Sequence, residues 1–324
     1  MSTVVGALWL VACGAAPSRP CPLPTPQGER AAFFERLDAL RADATRADLP
    51  ELPPDAAGRL APAATFLRVR VSEDALGLRE GHALSSRSRA EVERRLERSD
   101  PMRLGWLLGG DDVETLVSLD SGARVPAEAR MGGERGFLIT ALHAAVEERL
   151  RHGDLPPELG LEVRPATPFR TVAEVVYTVA QAGVERLELV VRAGDHVRAH
   201  PLAPPRLDSL VEGMLEGAVA PLGLSLTITA DGAVVAGSGG RVAPGCGETS
   251  TGPEPTIAAA GGAVDADALR ACLRRIKDSF PDEDTITVSA DPEIAFEHVV
   301  RAAVAAAGME QELFPHTLLS AGIR

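Results

Sequence analysis

The sequence predicts an α+β protein made of two tandem small ββαβαβ domains, each a mixed sheet with two helices on one face. Three observations lead there. Residues 161–183 and 286–308 read as one unit written twice, at a constant offset of 308 − 183 = 125. Each copy runs strand, turn, amphipathic helix, glycine, so each must bury a helix against its own strands. A length of 324 residues, 45% of them hydrophobic and 24% charged, has room for about two globular domains. Aromatic residues make up only 3%, so the cores must be built from Leu, Val, Ile and Ala, which suits thin α+β layers.

The elements follow in order. Residues 1–27 read as a signal segment with a flexible leader, and 28–62 as a short amphipathic helix with a Pro-rich linker. Domain 1 is expected over 63–194. It opens with an alternating strand at 66–71, turns at Ser72-Glu73-Asp74 and returns at 75–79. A polar helix near 88–98, an apolar piece at 104–108 and a strand at 113–119 form an insertion before the helix at 136–152. Strand 159–164, helix 171–182 and strand 186–191 close it. Residues 195–222 are expected to be a linker, broken by prolines and carrying a short helix at 207–219. Domain 2 spans 223–324, with a hairpin at 224–236 turning on Asp231-Gly232. A Gly/Pro-rich loop at 237–262, helix 265–280, strand 285–290, helix 295–307 and strand 312–319 complete it.

Charge excludes one large class of function. The net charge is −13, spread without a long basic run, and Lys277 is the only lysine. Nucleic-acid binding needs clustered cations and aromatic platforms, which are missing here. The Arg, Ala, Gly and Pro bias is that of a GC-rich bacterial genome.

Residues 4–12 form an apolar run too short to span a bilayer but long enough for a signal-peptide core. The run ends in Leu10-Val11-Ala12-Cys13, which resembles the lipobox of bacterial lipoproteins and implies lipidation of Cys13. Met1-Ser2-Thr3 departs from that pattern, because it carries no Lys or Arg. With Cys13 lipidated and Cys21 in the leader, Cys246 and Cys272 are the only pair inside a folded region, and an exported protein would oxidise them.

The C-terminal unit resembles the periplasmic domain of the ExbD/TolR biopolymer-transport family. The resemblance lies in Thr285-Ile-Thr-Val-Ser-Ala-Asp291, Pro292, Phe296, His298-Val-Val300 and Gly308, with 224–236 as the family's opening hairpin. The first copy fits more loosely, through Thr171-Val-Ala-Glu-Val-Val176 and Ala182-Gly183, and the 125-residue offset sets Ala166 against Asp291. Family members act in proton-driven inner-membrane motors through a transmembrane helix that bears an aspartate. That helix is absent from the pattern read here, so what the resemblance implies is the periplasmic part alone. Expected partners are envelope proteins or peptidoglycan, with self-association possible, no nucleic acid, and membrane contact through the N-terminal lipid.

The candidate polar residues point to structure more than to chemistry. Asp291 stands where it can cap a helix starting near Ile294. His196 and His200 have the i, i+4 spacing of metal ligands on a helix, but Gly194-Asp195 and Pro201 argue for irregular or strand-like backbone, with no third ligand. Glu297-His298 and His316 are isolated, and Gly239-Gly240 and Gly261-Gly262 lack the lysine of a phosphate loop. No catalytic residue, metal or cofactor is expected. The expected function is a non-enzymatic, lipid-anchored envelope component on the periplasmic side, accessory to an ExbD/TolR-type system. The alternative is an exported hydrolase or metal-dependent enzyme with a site between the domains.

Overall fold

The computed structural model describes residues 31, 34, 35, 48–54, 56, 60–63, 65, 67–80, 113–152, 157–204, 222–246, 249, 250, 252–260, 263–308 and 313–320. Cys13, Cys21, the expected helices at 88–98 and 207–219 and the apolar piece at 104–108 lie outside these residues, as does most of the helix expected within 28–46.

The first sheet uses β1 (Glu51–Leu52), β2 (Ala61–Pro62), β3 (Leu67–Val71), β4 (Ala75–Glu80), β5 (Glu114–Ser118), β6 (Glu158–Val163), β7 (Arg186–Ala193) and β8 (His196–Leu202). The helices α1 (Thr140–His152) and α2 (Phe169–Gln181) belong to the same half. The second half holds β9 (Ser225–Thr229), β10 (Gly232–Gly237), β11 (Gly240–Val242), β12 (Thr249–Ser250), β13 (Ile257–Ala260), β14 (Ala263–Val264), β15 (Thr285–Ala290) and β16 (His316–Leu319), with α3 (Ala266–Ser279) and α4 (Phe296–Ala307).

The two halves share one topology. In the first, strands run β7-β6-β3-β4; in the second, β16-β15-β9-β10. In both, the third strand lies parallel to the first and the fourth, and the first two form an antiparallel hairpin. This is the expected ββαβαβ order twice. Alternation explains the layering, because successive side chains point to opposite faces. Leu67, Val69, Val71, Leu159, Leu161 and Val163 are all buried on one side of the first sheet, as are Leu226, Ile228, Ile286 and Val288 in the second.

The outer faces differ. In the second sheet, Ser225, Thr227, Thr287 and Ser289 are only partly buried, and the Thr227 and Ser289 hydroxyls bond each other at 2.9 Å. In the first, the described residues between 48 and 65 form a strap over the outer face, where Leu49 and Ala63 pack on Val190 and Ala199. Gly160 marks the close approach, since a Cβ there would come within 2.5 Å of the Thr65 hydroxyl. Beneath the strap Arg68 is 1% exposed and Glu162 3%.

Two segments differ from expectation. Residues 196–202, expected to begin the linker, form β8 and pair along β7 from Ala193↔His196 to Leu187↔Leu202. Pro201 is accommodated because it faces Glu188 near the strand's end, where a missing N–H is tolerated. The Gly/Pro-rich stretch 237–262 carries β11, β12 and β13 in place of a structureless loop.

The repeat's register also changes. Its helices begin at Phe169 and Phe296, so the strand, turn and helix superpose at 296 − 169 = 127, while the glycines after the helices remain 308 − 183 = 125 apart. Pro292 therefore corresponds to Pro165 and Asp291 to Arg164; Ala166 corresponds to Glu293.

These two turns meet each other. The Phe169 N–H donates to the Ile294 carbonyl at 2.8 Å and the Phe296 N–H to that of Thr167 at 2.9 Å. The Arg170 N–H donates to Pro292 O and the Glu297 N–H to Pro165 O, both at 3.0 Å. Each bond maps onto its partner by the same 127 residues, so the contact is self-complementary, as at a two-fold dimer interface. The first N–H groups of a helix need outside acceptors. Here the other domain supplies them, and neither Pro168 nor Ala295 makes a side-chain cap. Asp291 does not cap α4 either: its carbonyl accepts from the Ile294 N–H at 3.0 Å.

One buried apolar cluster runs through both halves, from Leu67 and Val175 to Val299 and Phe314. Thermal unfolding is therefore expected as a single cooperative transition, with calorimetric and van't Hoff enthalpies equal. Two resolved transitions in a calorimetric scan would contradict a shared core.

Candidate binding cleft between the two domains

A cleft of about 420 Å³ opens where the reciprocal turns meet. Its floor comes from α2 and the segment before α1. Residue 174 interrupts the apolar run Val172-Ala173-Glu174-Val175-Val176, and the side chain of Glu174 is only 2% exposed. Its Oε1 accepts from Arg130 Nη1 at 2.9 Å and from Arg170 Nε at 3.0 Å, the latter an i, i+4 pair on the helix. Burial raises the Glu174 pKa, and the bonds and charges of Arg170 and Arg130 offset that only in part. The rim is exposed and drawn from both domains. Arg124 Nη2 donates to Glu293 Oε2 at 2.5 Å across the junction, with Asp120 and Glu134 nearby on the lining. The Thr171 hydroxyl is occupied, donating to the Ala123 carbonyl at 2.8 Å.

A second charged cluster is sealed. Arg68 Nη1 donates to Glu162 Oε1 at 2.8 Å and Arg79 Nη2 to the same oxygen at 2.5 Å. Arg68 also donates to the carbonyls of Thr65 and Ala63, tying the strap to the sheet. Burial pushes the Glu162 pKa up, but the two guanidinium groups outweigh it and hold the carboxyl below its ordinary range. This cluster serves the fold.

Of the residues singled out in the sequence, the two cysteines are brought together and the ionisable residues are not. His196 and His200 lie on β8, where four residues span about 13 Å, too far to share an ion. Neither lines the cleft. His196 is exposed; His200 sits opposite Leu189 on the helix-covered face. His316 is exposed, 3.7 Å from Asp284, and Glu297 bonds Arg301 one turn along α4. No group of three potential metal ligands converges among the described residues. Cys246 and Cys272 stand at disulfide distance, with Cα atoms 5.4 Å apart.

His200 carries a pH effect. Burial lowers its pKa to about 4, and Nε2 has no partner among the described residues. The unfolded chain, with a histidine near 6.5, binds the proton first as pH falls. Stability is thus retained above pH 6.5 and lost between there and pH 4. The loss from pH 7 to pH 5 is expected to be about 2 kcal/mol. Urea unfolding at both values measures it, and His200→Leu should remove that part of the slope; an unchanged slope refutes the assignment.

Sequence reasoning missed Glu174, Arg130 and Arg170. The available signal was a lone carboxylate within an apolar helical run, preceded at i−4 by arginine. Arg130 left no signal at all.

The fold and cleft define a class: a two-domain α+β protein with a charged cleft at a self-complementary domain junction. No family model, curated protein or solved structure matches this chain.

Proposed function

We propose that the chain is a non-enzymatic binding component of the cell envelope, held on the periplasmic side by lipid on Cys13 and accessory to an ExbD/TolR-type transport or energy-transduction system. The observation that carries the reading is the twice-repeated ββαβαβ topology, taken with the resemblance around Thr285–Gly308. The cleft adds support. It presents guanidinium and carboxylate groups, and the one hydroxyl lining it among the described residues, that of Thr171, is already engaged. Such a surface suits recognition of a polar ligand or partner. Envelope proteins, peptidoglycan and a second copy of the chain are the partners proposed. No helix among the described residues is long and apolar enough to cross a membrane.

Metabolic labelling with radioactive palmitate tests the anchor. The wild-type protein should take up label and sediment with membranes, and Cys13→Ser should do neither; label retained on the variant sinks the lipoprotein reading. Crosslinking in intact cells should join the chain to inner-membrane motor proteins or to cell wall. Crosslinks confined to cytosolic proteins would refute the proposed location.

A further inference from the structure

We draw no further inference here: the strongest candidate, the cleft of about 310 Å³ where the end of β8 meets β16, lined by Glu158, Glu185 and Glu188, is an acidic cluster with no second observation pointing to a ligand, since the two buried hydroxyls on its lining without a partner among the described residues belong to Thr65, pressed against Gly160, and Thr317, beside the core residue Ile286.

Discussion

Glu162→Ala is expected to destabilise the protein by about 3–5 kcal/mol, because it leaves two buried arginines without their carboxylate. The side chains of Arg68 and Arg79 are 2% and 5% exposed, so water cannot replace what is lost. Domains are typically stable by only about 5–15 kcal/mol, so the loss would dominate the unfolding curve. The damage should spread to the strap, since Arg68 donates both to Glu162 and to the carbonyls of Ala63 and Thr65. Faster amide exchange at Arg192, whose N–H donates to Pro50 O at 3.0 Å, would report the strap lifting. Guanidinium denaturation measures the main effect. Replacing Arg68, Arg79 and Glu162 together by leucine should recover much of it, because an apolar trio has no charge to desolvate. A single-variant loss under about 1 kcal/mol would show that the cluster is not holding the sheet face together.

Breaking the Cys246–Cys272 link should have the second largest effect. The closed loop spans 26 residues, for which the chain-entropy relation gives about 3.5 kcal/mol. The loop contains β12, β13 and β14 and the Gly/Pro-rich stretch around them, which has few large apolar side chains of its own. The link joins the turn at Pro244–Cys246 to α3, where Cys272 is fully buried. Arg275 Nη1 adds one bond to the Gly245 carbonyl at 3.0 Å, too little to replace a covalent tie. Protein isolated from the envelope without reductant should show no thiol at either position. Cys246→Ser with Cys272→Ser should then lower the urea midpoint by the equivalent of that energy. Two titratable thiols in the unreduced protein would rule the link out.

The secondary structure was largely legible. Strands β3, β6, β9 and β15 alternate cleanly, and α2, α3 and α4 carry helical apolar periodicity, so neighbours two or four residues away were enough to locate them. β8 was harder, because Gly194 and Pro201 look like breakers until β7 is seen pairing with it. Glu162 alternates with Leu161 and Val163 as a solvent-facing residue does; only the strap, from more than ninety residues earlier in the chain, turns that face into an interior.

The sequence by itself therefore determined the order of elements, their two-fold repetition and the faces that must be buried, since these follow from local periodicity. Tertiary structure alone decided the 127-residue register, the caps of α2 and α4, and the cleft. The caps are made by backbone carbonyls of the opposite domain, and backbone atoms are the same whatever residue carries them. They leave no mark in the composition of Thr167 or Ile294. The cleft is assembled from residues 120–134 and 168–174, joined within the first domain, and from residue 293, which the junction brings in. Contacts at such separations have no sequence period, so the pairing of Arg130 with Glu174, 44 residues apart, becomes visible only in the tertiary structure.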